Sequence, residues 1–265
     1  MQLTVSIVSH GHSKLIIPLV GQLAMHSSAQ INKVVLTSNT PLIDNFESIC
    51  GLNGLPFKVE LIVNEESKGF GANHNQAFKR CTSDFFCVLN PDVFITSDPC
   101  LQLVDRLCDG TVGCAYPLQV SANRLALDSE RQLASPLAVL KRHVPFVGSC
   151  LRRSAARALE QGRQPVHWVN GAFMVFRSDV YREIGGFDER YFMYCEDVDI
   201  CLRLQLAGYK LARANATVIH DTRRRTLRDP RHFAWHGRSL MRLWGSDAYR
   251  NFKSRFLSSS DKLGA

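Results

Sequence analysis

Four short apolar runs rich in β-branched or aromatic residues, each followed by a polar turn and a helix-like stretch, constrain the fold more than any other feature. Leu3–Val8 breaks at Ser9-His-Gly-His-Ser13 before a helical stretch from Lys14 to His26. Lys33–Thr37 leads through Ser38-Asn39-Thr40-Pro41 into a second helix, to about Ile49. Lys58–Val63 precedes Gly69-Phe70-Gly71 and a helix to about Arg80, and Asp84–Leu89 ends in Asn90-Pro91-Asp92. Strands alternating with helices at this spacing build an α/β fold around a parallel sheet, and ligands of such sheets gather at the carboxyl ends of the strands.

Those ends carry the first candidates. Two glycines around Phe70 allow a tight backbone, and the helix that follows offers free N–H groups to an anion such as a phosphate. Asp92, beyond an apolar strand and stiffened by Pro91, could hold a divalent cation if phosphates and a second protein group complete the shell; it could equally cap a helix or fill a turn. Lys210–Ile219 reads as a strand that delivers His220 to the same edge, where a metal or diphosphate role competes with a structural one. A helix over Pro99–Cys108 and a strand over Val112–Tyr116 complete this half. From Gln119 to Pro165 the pattern weakens into an irregular or partly helical insertion over the cleft.

Gly171–Tyr209 is the other place for chemistry. An apolar run, the turn Gly185-Gly186-Phe187-Asp188-Glu189 and the aromatic segment Tyr191-Phe-Met-Tyr194 deliver Glu196, Asp197 and Asp199 to the start of an amphipathic helix. Neighbours on a helix diverge by about 100°, so the three carboxylates cannot share one face. Asp199 lies four residues before Arg203 and reads as a first-turn ion pair, while Cys195, Val198, Leu202 and Leu206 form the buried stripe. Glu196 and Asp197 remain at the helix entrance, either as an acidic helix start or as acid–base groups.

With 265 residues, 45% of them hydrophobic, the chain can bury a full core as one large domain with an appendage. No run approaches the roughly 20 apolar residues of a membrane span, and the N-terminus lacks a signal-peptide pattern. Nine cysteines, an odd number without a Cys-x-x-Cys pair, read as reduced thiols of a cytoplasmic protein. The net charge of +8 concentrates between Asp221 and Arg255, where ten Lys or Arg face three Asp. Such a tail implies an anionic partner. Within it, Arg231–Gly245 mixes Phe233, Leu240, Leu243 and Trp244 with arginines, suiting a membrane-surface helix or a helix that packs on the domain and exposes its arginines.

In order along the chain, Val5-Ser-Ile-Val-Ser-His10, Gly69-Phe-Gly-Ala-Asn73-His-Asn75, Leu89-Asn-Pro-Asp92, Gly185-Gly-Phe-Asp-Glu189, Phe192-Met-Tyr-Cys-Glu-Asp-Val-Asp-Ile-Cys-Leu-Arg203 and His220 resemble the inverting family 2 glycosyltransferases with the GT-A fold. Ile7-Val-Ser-His-Gly-His12, Tyr191-Phe-Met-Tyr-Cys-Glu-Asp197 and Phe233-Ala-Trp-His236 are similar to the bacterial O-antigen rhamnosyltransferases, which take dTDP-L-rhamnose and a polyprenyl-diphosphate-linked sugar acceptor. The resemblance implies a Rossmann-like, mixed but mainly parallel sheet flanked by helices. It implies a catalytic domain over 1–220, divided near 118 into nucleotide and acceptor halves, and a basic helical tail over 221–265.

It also implies roles. Asp92 keeps the last carboxylate of the family's Asp-x-Asp motif and, with His220, would hold Mg2+ or Mn2+. Ser9, Ser38, Asn39, Gly69, Phe70, Gly71, Asn73, Asn75 and Asn90 would line the donor, and Gly171, Asp188 and Tyr194 the acceptor. One of Asp197 and Glu196 would be the general base, with Asp197 preferred. Ser38-Asn39 departs from the Asp-Asn that often ends the second strand, which loosens the inference about the nucleobase. The implied partners are a nucleotide sugar, a lipid-diphosphate-linked saccharide and, through the tail, the anionic inner face of the cytoplasmic membrane. A nucleotidyltransferase would need a basic triphosphate site near the first strand, where only His10, His12 and Lys14 stand. A nucleic-acid-binding protein would not place the acidic stretch Asp188–Asp199 at its centre.

Overall fold

The computed structural model describes residues 1–11, 13–40, 54–127, 129–133, 165–220 and 230–257. The helix expected after Pro41, most of the Gln119–Pro165 stretch and the arginines between Asp221 and Asp229 lie outside the described residues. The elements are, in order, β1 (Leu3–Ser9), α1 (Ser13–His26), β2 (Ile31–Ser38), β3 (Lys58–Val63), α2 (Phe70–Phe78), β4 (Phe85–Leu89), β5 (Val93–Phe94), α3 (Pro99–Leu107) and β6 (Val112–Val120). They continue with β7 (Glu130–Arg131), β8 (Trp168–Val169), β9 (Phe173–Arg177), α4 (Ser178–Glu183), α5 (Glu196–Leu206), β10 (Lys210–His220), α6 (Pro230–Gly245) and α7 (Asp247–Phe252).

Eight strands form one sheet in the order β3-β2-β1-β4-β9-β6-β10-β5. β1 to β4 are parallel and β10 is parallel to β6, whereas β9 runs against both β4 and β6 and β5 against β10. This is the mixed α/β sheet that the alternating runs imply. Every residue of β1 and β4 is buried, as strands covered on both faces must be. Successive side chains enter opposite layers: Ile7, Cys87 and Leu89 join Leu19, Leu23 and Leu103 on one side, while Phe86 and Val88 join Tyr181, Ile200 and Leu204 on the other. Each such aliphatic or aromatic side chain contributes about 1.5–3 kcal/mol by leaving water.

β6 runs on to Val120, four residues past the end expected from its apolar pattern. Pro117 obscures the strand in sequence because it cannot donate to a ladder. β10 accommodates it with a register shift, pairing Arg213 with Tyr116 but Thr217 with Leu118. The extension carries Gln119 into the sheet beside His220.

Ser9, Ser38, Val63 and Leu89 end their strands at one edge, and β9 starts there, with Phe173 opposite Leu89. The catalytic candidates therefore meet at that edge. The described part of the tail is docked: Leu243, Tyr249 and Phe252 pack with Tyr191, Cys195, Val198 and Leu202 of the acidic segment. Cys81, Cys87, Cys100, Cys108, Cys114, Cys195 and Cys201 are free thiols.

Candidate active site

The acidic pair sits where the backbone is strained. Tyr194 and Cys195 both adopt left-handed conformations, with φ of 71° and 65°. Such a conformation costs a non-glycine residue on the order of 1–3 kcal/mol. The kink starts α5 abruptly and places Glu196 and Asp197 in its first turn. Glu196 is only 6% exposed, and its Oε2 has no hydrogen-bond partner. Asp197 is half-buried: Oδ1 accepts the N–H of Val198 at 2.8 Å and Oδ2 that of Gly171 at 3.3 Å.

These surroundings divide the roles. Burial, reinforced by the neighbouring Asp197 charge, pushes the Glu196 carboxyl well above its ordinary range. Burial raises Asp197 too, but the Val198 N–H, the Arg131 charge and the Gly171 N–H oppose it. Two carboxyls this close hold one proton between them before both ionise. The N–H groups on Asp197 favour its charged form over that of Glu196, whose Oε2 has no donor. Asp199 behaves as its spacing implies, pairing with Arg203 Nε at 2.7 Å, and Arg203 also donates to the carbonyls of Ile184 and Gly186. The Arg203 guanidinium, oriented by that carboxylate, holds the Gly185-Gly186 turn to α5. The stripe Cys195, Val198 and Leu202 is buried and Leu206 partly so; Ile200, Cys201 and Leu204 are buried as well, so α5 is enclosed on more faces than the stripe alone requires.

The glycine-rich stretch and the acidic segment interlock. The helix starts at Phe70, so Phe70 and Gly71 belong to its first turn rather than to a preceding loop, and the Phe70 N–H is spent on the Phe192 carbonyl at 2.9 Å. A Cβ on Gly69 would lie 2.7 Å from that carbonyl oxygen, so only glycine permits the approach. Phe70 rests against Gly171, whose own Cβ position would be 3.6 Å from Asp197 Cβ. Asn75 is the brace: Oδ1 accepts from Tyr181 Oη at 2.7 Å and the Phe187 N–H at 2.9 Å, and Nδ2 donates to the Phe187 carbonyl and Glu189. Asp188 binds Arg190, and the Tyr194 hydroxyl is 2.7 Å from His232 Nδ1 of α6.

Ser9, Ser38, Asn39 and Asn73 are buried at the strand ends. Asn64 Nδ2 donates to both Asn39 Oδ1 (2.8 Å) and Asn73 Oδ1 (2.7 Å); Asn39 Nδ2 donates to the Lys68 carbonyl at 2.8 Å and approaches His10 Nδ1, and Asn73 Nδ2 donates to the Gly69 carbonyl. Ser38 Oγ donates to the Thr40 carbonyl. These side chains lock the 64–69 connection to the ends of β1 and β2.

At the far side of β9, Asn90 donates its N–H to the Ala172 carbonyl at 2.8 Å, placing the 90–92 turn against residues 170–172. Asp92 Oδ1 is buried without a hydrogen bond, 3.5 Å from Nε2 of His220, which is 7% exposed. An unsatisfied carboxylate oxygen facing an imidazole nitrogen is a fit for a divalent cation whose remaining ligands come from diphosphate and water. Among the described residues no cluster of three or more His, Cys, Asp or Glu could hold a metal ion.

Several residues of this edge escape a sequence reading. Gln119 and Asn170 bridge His220 to the strand β9 entrance, Asn64 centres the asparagine network, and the Arg131 charge acts on Asp197 from the antiparallel β7–β8 pair. None stands in a motif. Only the polar character of Gln119 inside an apolar strand could have flagged one of them.

Comparisons with known proteins agree with the fold. Residues 37–185 match the family described as Glycosyl transferase family 2, and residues 142–232 match Glycosyl transferase family group 2. The rhamnosyltransferase WbbL of Escherichia coli (strain K12) is 27% identical over 224 residues, 77% of this chain and 77% of that protein. A shorter match, 43% identical over 83 residues, covers 31% of this chain and 27% of the N-acetylglucosaminyl-diphospho-decaprenol L-rhamnosyltransferase of Mycobacterium tuberculosis (strain ATCC 25618 / H37Rv). The mannosyltransferase PcManGT from Pyrobaculum calidifontis, solved in complex with GDP-Man and Mn2+, superposes with a TM-score of 0.59 at 14% identity, over 100% of this chain and 76% of that one. With the family match spanning more than half of its residues, and the acidic pair and Asp92 disposed about one sheet edge, this chain belongs to glycosyl transferase family 2.

Proposed function

We propose that the protein is an inverting glycosyltransferase that moves a sugar from a nucleotide-sugar donor, with L-rhamnose from dTDP-L-rhamnose the first donor to test, onto a saccharide carried by a lipid diphosphate. The observation that carries this reading is the contrast within the acidic pair: Asp197 accepts two backbone N–H groups, while the buried Glu196 beside it has an Oε2 with no hydrogen-bond partner. The rhamnosyl donor and the lipid-diphosphate acceptor are supported by the names of the two relatives, and the motifs quoted above add to them.

In this reading Asp197 takes the proton of the acceptor hydroxyl as that oxygen attacks the anomeric carbon. The bond to the departing nucleoside diphosphate breaks on the opposite face, so configuration inverts in one displacement. General-base help of this kind is worth about 10²–10⁴ in rate. A divalent ion, Mg2+ or Mn2+, held by Asp92 and His220 would supply charge stabilisation to the leaving diphosphate. Asn90 and the asparagine-braced edge around Ser9, Ser38, Asn39, Gly69–Gly71, Asn73 and Asn75 form the donor side; Gly171, Asp188 and Tyr194 belong to the acceptor side. Residues 1–220 act as the catalytic domain, with nucleotide and acceptor halves divided near 118, and 221–265 as the basic tail.

A second reading, transfer of another sugar, has its own support: Ser38 replaces the family's frequent strand-end Asp, and the same fold holds GDP-Man in PcManGT. For the tail we propose attachment to the anionic inner surface of the cytoplasmic membrane. No helix among the described residues is long and apolar enough to cross a membrane, but α6 leaves Phe233 (68%) and Met241 (70%) exposed beside Arg238, a face suited to lying on one.

A panel of sugar nucleotides, each with and without Mg2+ or Mn2+, tests the reading through thermal stabilisation and product formation. A true donor at about 100 times its Kd raises stability by about 2.7 kcal/mol. The result expected is metal-dependent stabilisation by dTDP-L-rhamnose and an inverted glycosidic product; another sugar nucleotide in its place would favour the second reading. Stabilisation by none of them would refute both.

A further inference from the structure

A line of hydrogen bonds joins the two ends of the proposed site, and each partner dictates the orientation of the next. The Ala172 N–H can only donate, so the atom of Asn170 it meets at 3.3 Å is Oδ1. That choice orients the Asn170 amide. Gln119 lies against it in a mutual pair, its Nε2 donating to Asn170 Oδ1 at 2.6 Å and its Oε1 accepting from Asn170 Nδ2 at 3.0 Å. With both amides oriented, the group that meets His220 Nδ1 at 2.9 Å is the Gln119 oxygen, an acceptor. His220 must therefore carry its proton on Nδ1. Its Nε2 is left to face Asp92 Oδ1 at 3.5 Å, and that oxygen has no hydrogen bond of its own.

In the neutral imidazole these two facing atoms are both electron-rich. They repel unless a cation lies between or beside them. Gln119 is 1% exposed and cannot exchange its partners for water without opening the sheet edge. The opposite end of the line is covalent: the residue after Asn170 is Gly171, whose N–H donates to Asp197.

We infer that Gln119 and Asn170 are positioning residues, which fix His220 in the Nδ1–H form with Nε2 presented to a divalent cation at Asp92, and seat the Gly171 N–H that holds Asp197. The inference rests on the reading of Asp92 and His220 as a cation site. Outer partners that orient a metal-binding histidine are worth about 10–100-fold in metal affinity.

The experiment needs no donor. Protein labelled with 15N-histidine is observed by long-range 1H–15N correlation at neutral pH, with the His220 signals assigned by their loss in His220→Gln. Mn2+ alone is titrated in parallel by electron paramagnetic resonance. The wild type should show His220 protonated on Nδ1. Gln119→Leu removes the acceptor and should release the tautomer and weaken Mn2+ binding by about 10–100-fold. Gln119→Glu keeps an acceptor for Nδ1–H and should hold the tautomer, although its second carboxylate oxygen replaces the Nε2 donor that meets Asn170 Oδ1 at 2.6 Å and so gives up that bond. A wild-type His220 protonated on Nε2 would overturn the inference, whether or not the leucine variant folds. So would a Gln119→Leu protein with unchanged tautomer and Mn2+ affinity. Absence of Mn2+ binding to a wild type that shows the Nδ1–H form would overturn the cation reading alone.

Discussion

Truncating Asn75 to alanine tests the interlock that sets the acidic pair in place. Its carboxamide satisfies the Tyr181 hydroxyl and the Phe187 N–H, both from buried residues, and donates to the Phe187 carbonyl. Asn75→Ala leaves the two donors without an acceptor, and each buried orphan costs about 1–3 kcal/mol. A loss of about 2–5 kcal/mol follows, a large share of the roughly 5–15 kcal/mol that holds a domain folded. Urea unfolding followed by circular dichroism reads it as a lowered midpoint with an unchanged slope. Gly186→Ala supplies the second arm of a cycle. Its Cβ would lie 2.5 Å from Asn75 Oδ1 and 2.9 Å from Tyr181 Cε1, at a φ of +64°. Removing the Asn75 side chain takes away the first clash, so the double variant should be less damaged than the sum of the singles. A loss below about 1 kcal/mol in Asn75→Ala, less than one buried orphan should cost, or strict additivity in the cycle, would refute the interlock.

Three further outcomes are expected. His74, fully buried between Ser6 and Phe70, has its pKa lowered from 6.5 to about 3, by burial first and by the His10 charge second. The unfolded chain then takes up the proton first, so stability is complete above pH 6.5 and is lost towards pH 3 at up to about 1.4 kcal/mol per unit. His74→Gln should flatten that slope in urea midpoints measured from pH 7 to 4, and parallel slopes would count against it. Glu196 has the opposite sign: burial raises its pKa, so keeping its proton costs stability increasingly as pH rises above its ordinary 4.5. Glu196→Gln should therefore stabilise the protein at pH 7 to 8 and lose that advantage near pH 4.5; a variant less stable at both would contradict the assignment. For α6, Phe233→Ser combined with Met241→Ser should reduce co-sedimentation with anionic vesicles severalfold while neutral vesicles bind little of either protein. Equal partitioning to both vesicle types would remove the proposed surface.

The parallel half of the sheet was legible because β1 and β4, buried at every residue, read as compact apolar runs, and β2 and β3 keep enough Val, Leu and Ile to read the same way. The Asp199–Arg203 pair was legible because its partners are local, four residues apart on one helix. What sequence concealed was non-local or contrary to propensity. Nothing in the Gly171–Arg177 run announces that β9 is reversed between β4 and β6. Pro117 disguised the end of β6, and with it Gln119. The glycines at 69 and 71 suggested a phosphate loop, whereas much of their necessity comes from the close approach of Phe192 and Phe187. The division of labour between Glu196 and Asp197 depends on two N–H groups, one of them 26 residues away, which spacing cannot reveal.

In the proposed mechanism Asp197, and not Glu196, removes the acceptor proton, and the donor side does not depend on it. Transfer rates of Asp197→Asn and Glu196→Gln, measured with the donor that the panel identifies and alongside nucleotide-diphosphate affinity, test it most directly. Asp197→Asn should lose about 10²–10⁴ in turnover with binding preserved, and Glu196→Gln much less. An Asp197→Asn enzyme that keeps near-normal turnover while Glu196→Gln is dead would contradict it.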